Sequence, residues 1–377
     1  MAPRFGIVST YPPTQCGLAT FTASLLRALV STGASSGGVV RLVDSDDTLA
    51  PRPAGVVAEL DMGDLPAIPY AAAALNGCDA VIVQHEFGVF GGPDGADILP
   101  LLAALHVPSI VVVHTVLITP TAHQRQVLEA VVAAADSVVT MTRTAHDRLI
   151  AGYSIDPSKV CIIPHGAPDV APASTARPTP ATSTVLTWGL LGPGKGIEWG
   201  IAAMALLGDL RPAPCYVVAG QTHPKVLLHE GEAYRDRLTV QARRAGVQST
   251  VHFDGRYRDA AALAELVASA DIVLLPYDST EQVTSGVLIE AVAAGKPVVA
   301  TDFPHAVELL ADGAGIVVAH RDPVAIAAAL RTVLTHHDLA ATMSHAGASA
   351  APQVRWPAVA ARYCALAEQL ITASLAA

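Results

Sequence analysis

Charge and aromatic rings are both scarce in this chain: charged residues make up 15% of its 377 positions and aromatic residues 5%. Lysine and arginine never gather into a block, and the formal net charge is −10. Nucleic acid and anionic membrane surfaces are therefore poor partners for the molecule as a whole, although a local basic pocket is compatible with that balance. Cys16, Cys78, Cys161, Cys215 and Cys364 lie far apart without a CxxC pair. That scatter indicates neither a zinc site nor a disulfide framework. The 14 histidines include no HExxH or similar close metal spacing. Proline, glycine or charge interrupts every apolar run before the ~18 residues of a spanning helix. The opening MAPRFGIVST runs straight into a strand pattern without a signal-peptide core, so a soluble cytoplasmic protein is the expectation.

What the chain has is apolar material, 51% of it, dominated by alanine and valine. Valine strands buried on both faces under alanine-rich helices use such a composition, which is α/β packing. The length suits two domains. Phe5–Ser9, Val39–Val43, Ala80–Gln84, Ser109–His114, Ser137–Met141 and Val160–Ile163 read as strands. Helical patterns at 17–33, 94–106, 121–135 and 142–151 alternate with them, the βαβ rhythm of a doubly wound parallel sheet. Residues 167–183, APDVAPASTARPTPATS, hold no apolar periodicity and read as a linker. Strands follow at 184–188, 215–219, 251–253, 271–276, 297–301 and 315–318, with a final helix at 356–373. The expected organisation is a Rossmann-like domain over 1–170, a linker over 171–183 and a second Rossmann-like domain over 184–355. A C-terminal helix over 356–377 is expected to pack back on the first domain. Ligands in such sheets bind beyond the carboxyl ends of the strands, and two facing halves would make a cleft.

Candidate sites should therefore follow strands. After Phe5–Ser9 comes TYPPTQCGLATF, where two prolines stiffen the turn and Gly17 opens a helix whose amides suit a phosphate. His85 and Glu86 stand at the next relevant strand end, in HEFGVFGGPDG, and His114 and Thr115 at a third. Two histidines at neighbouring strand ends suggest a shared polar pocket. In the second half, Gly189 to Lys195 satisfies GxxxxGK. Gly196 stands where a P-loop needs Ser or Thr, and Pro193 interrupts the run of amides, which disfavours a nucleotide hydrolase. Lys195 beside a helix N-terminus still suits a diphosphate. Asp44-Ser45-Asp46 is a DxD triplet that reads as a solvated loop. In TEQVTSGVLIEAVAAGKPVVAT, Val287, Leu288, Ala291 and Val292 follow helical spacing behind a cap at Ser285 or Thr284. The first amides of that helix attract an anion, yet an ordinary capped core helix with Glu290 facing solvent fits the stretch equally.

Taken in order, TYPPTQCG, QHEFGVFGG, VVHT, CIIPHG, LLGPGKGIE, DIVLLPY, QVTSGVLIEAVAAGKPVVATDFPHAVELL and RWPAVAARY resemble the retaining glycosyltransferases of family 4. The resemblance covers nearly the whole chain and implies the GT-B fold, in a subgroup with QHEFG and QVTSG motifs. It implies transfer of a hexose from a nucleoside-diphosphate sugar, of GDP-mannose or UDP-glucose type, to a hydroxyl of a saccharide or small soluble acceptor. Retention of configuration and independence of any metal or other cofactor are part of that expectation. The family's Ex7E pair places its second acid at Glu290, on the ribose hydroxyls, with the amides of Ser285, Gly286 and Val287 facing the sugar or diphosphate. Gln282 occupies the position of the first acid and can still bond a sugar hydroxyl, at a disadvantage of ~1 kcal/mol against a charged group. The arginine that many members carry before the lysine is missing from Gly189–Gly192, so Lys195 takes the diphosphate, assisted by Gly17 and Arg256. Arg256 and Tyr257 follow strand 251–253, where the family binds the base; a surface turn is the other reading. By the same resemblance His114 joins Lys195 and Gln282 as catalytic, and His85 and Glu86 shape the acceptor side. Gln282 leaves open a non-catalytic nucleotide-sugar-binding protein, and a GT-B sugar-nucleotide epimerase is a further alternative.

Overall fold

Valine strands of this kind need cover on both faces, and the computed structural model supplies it twice over. It describes residues 2–44, 52–61, 63–169 and 182–376. These form two units, one running up to Gly166 and resuming at Trp356, the other spanning Ala167–Arg355. Residues 171–181 of the expected linker, and Ser45 and Asp46 of the DxD triplet, lie outside the described residues.

In chain order the first unit holds β1 (Arg4–Ser9), α1 (Gly17–Ser31), β2 (Ser35–Val43), β3 (Val56–Asp61), α2 (Ile68–Leu75), β4 (Ala80–His85) and α3 (Ile98–Ala103). β5 (Ser109–Val113), α4 (Ala122–Ala134), β6 (Ser137–Thr140), α5 (Arg143–Gly152) and β7 (Val160–Ile162) follow. The seven strands order as β3-β2-β1-β4-β5-β6-β7, every pairing parallel. The order reverses between β1 and β4, which makes their carboxyl ends the topological switch point. Ile82, Ile110 and Val112 face α1 and the C-terminal helix, while Val81, Val83, Val111 and Val113 are equally buried on the other face. That helix runs Trp356–Ala376, and a side chain at Gly166 would strike the Trp356 ring at 2.2 Å.

The second unit holds β8 (Thr184–Trp188), α6 (Ile197–Ala205), β9 (Cys215–Ala219), α7 (Pro224–Glu230), α8 (Ala233–Arg244), β10 (Val251–Asp254) and α9 (Ala260–Ser269). Then come β11 (Ile272–Leu275), α10 (Gly286–Ala293), β12 (Val298–Thr301), α11 (Pro304–Leu309), β13 (Gly315–Val318), α12 (Pro323–Thr335) and α13 (His337–Val354); the C-terminal helix is α14. Its six parallel strands order as β10-β9-β8-β11-β12-β13, so the switch point falls between β8 and β11.

Two departures from the sequence reading have local causes. β3, VVAELD, is an edge strand whose middle is half exposed, so it lacks the continuous apolar run that marks its neighbours. The helix expected over 94–106 is shorter and begins at Ile98. Asp94 takes a left-handed φ of 52° within the Gly92–Gly95 turn, and Gly95 sits so close to the Phe87 carbonyl that a Cβ would approach it to 3.0 Å.

Gly220, at φ +148°, would place a Cβ 1.8 Å from the Gly189 carbonyl oxygen, whereas one at exposed Gly208 meets only the Ala205 carbonyl at 3.7 Å. Gly220→Ala is therefore expected to lower the unfolding free energy by at least ~2 kcal/mol, and Gly208→Ala to change it by no more than ~0.5 kcal/mol. Urea midpoints of the two variants check this, and equal midpoints would contradict the backbone contact.

Candidate functional site

At the switch point of the second sheet, three turns are joined through their backbones. β8 ends at Trp188 and passes into Gly189, φ +116°. The turn that follows pairs with the turn after β9, through Leu191 N–H to the Gln221 carbonyl at 2.8 Å and His223 N–H to the Leu191 carbonyl at 2.8 Å. It is tied to the turn after β11 by Asp278 N–H donating to the Gly194 carbonyl at 2.9 Å. Gly196 caps α6 in the left-handed region, where a Cβ would lie 1.7 Å from the Pro276 carbonyl oxygen. Lys195 thus stands immediately before a helix N-terminus, as its sequence context implied. Its Nζ lies 4.4 Å from the centroid of the Tyr277 ring, whose buried hydroxyl has no partner among the described residues. Asp278 accepts from Trp199 Nε1 at 2.9 Å and from Arg321 Nε at 3.2 Å.

The loop between β11 and α10 is organised by a residue that the sequence reading did not single out. His305, at the start of α11 and buried, accepts the Ser285 amide on Nδ1 at 2.8 Å and donates its own amide to the Gln282 carbonyl at 3.3 Å. The Ser285 N–H, expected to face a sugar or diphosphate, is therefore engaged within the protein. Ser285 acts instead as the N-cap, its Oγ accepting from Leu288 N–H at 3.3 Å. Gly286 and Val287 are the first two helical residues, and their amides are the open donors of that first turn. Gln282 donates its amide nitrogen to the Thr284 carbonyl at 3.0 Å, which leaves the carboxamide oxygen as its acceptor. A glutamate would also present an oxygen there.

Glu290 is half-buried. Trp188, the last residue of β8, hydrogen-bonds its carboxyl, and burial pushes the Glu290 pKa up to about 7. Arg256 lies at a surface turn. Its guanidinium is held by both carboxylate oxygens of Asp254, with Arg256 Nη2 to Asp254 Oδ2 at 2.6 Å, and its side chain is 80% exposed. Asp254 also pairs with Arg258, and this exposed turn is the other reading the sequence offered for Arg256.

In the first unit, the loop after β1 is clamped by Arg41, a fully buried guanidinium on β2. It donates to the Tyr11 carbonyl, to Thr14 Oγ1 at 3.0 Å and to Glu59 at 2.9 Å. The Cys16 sulfur caps α1, accepting from Ala19 N–H, and Gly17 opens the helix with nothing within 4 Å of where a Cβ would be. His85 and His114 are joined by a backbone hydrogen bond, His114 N–H to the His85 carbonyl at 3.1 Å. The two groups are close enough for His85 to contribute to the shift in the His114 pKa. Gln84 is the side chain on the His114 face, with its Oε1 2.7 Å from His114 Nε2. Phe21, His165 and Trp356 complete that face: Phe21 meets the rings of His114, His165 and Trp356 edge-on at 5.1, 4.9 and 5.1 Å. His85 is fully buried against Phe87, and neither of its ring nitrogens has a partner among the described residues. Burial lowers the pKa of His114 to about 3, with help from His165 and His85, and those of His165 and His85 to about 4. Glu86 accepts from Thr115 Oγ1 at 2.6 Å and from Phe87 N–H at 3.0 Å, and burial raises its pKa. Among the described residues no group of three or more His, Cys, Asp or Glu is placed to hold a metal, and no helix is long and apolar enough to cross a membrane.

Two parallel-sheet units of seven and six strands define the GT-B fold. Sucrose-phosphate synthase of Thermosynechococcus elongatus superposes with a TM-score of 0.76 at 19% identity, covering 98% of this chain and 99% of that one. Anabaena HepE, solved with UDP and glucose, gives 0.73 at 18% identity over 98% and 100% of the two chains. At such identities the likeness concerns the fold. Residues 182–336 match the family model described as glycosyl transferases group 1. The D-inositol 3-phosphate glycosyltransferase of Geodermatophilus obscurus is 29% identical over 269 residues, 65% of this chain and 56% of that relative. The chain spans little more than half the length of that curated relative. It is a GT-B-fold protein, and the match to the group 1 glycosyl transferase model lies within its second unit.

Because the folded Glu290 carboxyl ionises near 7 and an unfolded one near 4.5, its protonated form adds stability that is full below pH 4.5. That contribution fades as pH rises through 7. Glu290→Gln should match the native protein at pH 4.5 and exceed it at pH 8 by roughly 2 kcal/mol, after allowance for partial exposure. Parallel pH series of Tm for the two proteins without nucleotide would show curves that diverge; parallel curves would refute a buried carboxyl.

Proposed function

We propose that the chain is a retaining hexosyltransferase that moves a sugar from a nucleoside diphosphate, of GDP-mannose or UDP-glucose type, to a hydroxyl of a saccharide or small soluble acceptor. The observation that carries this reading is the arrangement at the second switch point. Lys195, the open amides of Gly286 and Val287, and Glu290 converge on the carboxyl ends of β8 and β11, inside the region that matches the family.

Breaking the bond between sugar and diphosphate develops negative charge on the leaving phosphate and positive charge at the anomeric carbon. Lys195 rests on an aromatic face, a contact worth about 0.5–2 kcal/mol, so an incoming diphosphate outcompetes it. The α10 amides add the positive end of a helix dipole, stabilising charge as it forms. These groups supply the positive charge of the leaving-group site themselves, so the proposed transfer proceeds without a metal. Glu290 takes the ribose hydroxyls, exchanging its Trp188 hydrogen bond for shared ones. Gln282, with its nitrogen tied down, offers its oxygen to a donor-sugar hydroxyl. In the first unit, neutral His114 is the group for the sugar, and Glu86 shapes the acceptor side. Retention follows from front-face attack in which a phosphate oxygen accepts the acceptor's proton.

Gln282 also favours a second reading, a nucleotide-sugar-binding protein without turnover, because an amide replaces the expected acid. Thermal shifts with UDP, GDP, ADP and their glucose and mannose conjugates, with and without chelator, address both. One base should stabilise by ~2–4 kcal/mol at saturating excess and be indifferent to chelator. Lys195→Ala should weaken that binding by about 10- to 100-fold, the worth of charge-assisted hydrogen bonds. A flat response to every nucleotide would sink the donor site. Binding with no diphosphate release from either the native protein or Gln282→Glu would favour the second reading.

A further inference from the structure

We infer that Gln84 is a positioning residue: it grips His114 by Nε2 and holds the imidazole in one orientation and one tautomer, so that Nδ1 is the lone pair offered to a sugar hydroxyl. The final clause rests on the function proposed above. The grip itself stands on geometry.

Gln84 is the penultimate residue of β4 and is fully buried. Its Oε1 lies 2.7 Å from His114 Nε2, while its own amide nitrogen has no partner among the described residues. A buried donor left unmade costs about 1–3 kcal/mol, which offsets the one hydrogen bond this amide makes to His114. The net stability this amide supplies is therefore small. With Oε1 against the ring, Nε2 carries the imidazole proton and Nδ1 is bare.

Few other side chains do the same work. A carboxylate at position 84 would draw a second proton onto the ring and convert it to imidazolium. A hydrocarbon would release it to rotate and to exchange tautomers. The titratable groups around His114 leave the choice to Gln84. His165, after β7, and His85, on β4, are both kept neutral by burial, and the Glu86 carboxyl is occupied by Thr115 and the Phe87 amide. The Phe21 ring meets that of His114 edge-on at 5.1 Å, which sets the plane of the imidazole without choosing its proton.

Ring nitrogen and carbon NMR shifts of His114, recorded from pH 4.5 to 9, test the grip in the full-length protein. The native ring should be neutral throughout and a single Nε2–H tautomer. In Gln84→Met it should become a tautomer mixture, and in Gln84→Glu its midpoint should rise by more than one unit. A native mixture, or spectra unchanged in Gln84→Met, would overturn the inference. Turnover supplies the functional arm. Gln84→Met should lose at least tenfold in kcat/KM with little change in Tm. Gln84→Glu should be inactive at low pH and recover as pH rises through the new His114 midpoint. A fall in Tm that parallels the fall in activity would reduce Gln84 to a structural residue. If the native protein turns over no donor at all, the transfer reading fails, and the NMR comparison alone decides the grip.

Discussion

Backbone contact between neighbouring turns is the constraint on which the second unit depends. Parallel strands end in a row, and each chain must turn away within a few residues of its neighbours. At Gly220 and Gly196 the turns approach so closely that a single Cβ would lie within 1.8 Å and 1.7 Å of a carbonyl oxygen on the adjoining turn. Glycine at these two positions lets the turns after β8, β9 and β11 bond to one another directly. Lys195 then projects from a braced loop and needs no side-chain scaffold of its own. The same closeness brings Trp188, the end of β8, to the Glu290 carboxyl on α10.

Burial then decides which groups carry charge. Placing an ionisable side chain in a packed interior favours its neutral form. His114, His165 and His85 lose their affinity for a proton, while Glu86 and Glu290 hold theirs more firmly. The histidines at the strand ends of the first unit thus offer neutral donors and acceptors, chemistry that matches hydroxyl groups. The strand ends of the second combine a lysine with unpaired helix amides, chemistry that matches a phosphate. Arg41 shows the opposite solution in the first unit. A charge that stays charged when buried must find partners for its nitrogens, and Glu59, Thr14 and the Tyr11 carbonyl provide them.

The strands were legible because continuous runs such as SIVVV leave little else for the chain to do when both faces are covered. β3 was not, since an edge strand pairs on one side only and mixes polar residues into its pattern. Lys195, Gln282 and Glu290 stood out by their motif context. The partners that define their states did not. Trp188, His305 and Gln84 are separated in sequence from Glu290, Ser285 and His114, and nothing in a one-dimensional pattern distinguishes a hydrogen-bonding tryptophan or glutamine from one that merely fills space. Adjacent strand ends made His85 and His114 neighbours, as their positions suggested, but the Gln84 contact to the His114 ring had no signal in the sequence.

Composition and spacing, taken by themselves, determined the alternation of strands and helices, the two-sheet architecture and the positions of the loops that carry chemistry. These are local properties, because hydrophobic period and turn chemistry are written in consecutive residues. Only the tertiary structure decided which atoms remain available. It engaged the Ser285 amide with His305, fixed Arg256 on Asp254, tied the Gln282 nitrogen to Thr284 and pushed Glu290 toward neutrality. Each outcome depends on distance and burial in three dimensions, and neither quantity exists until the chain has packed.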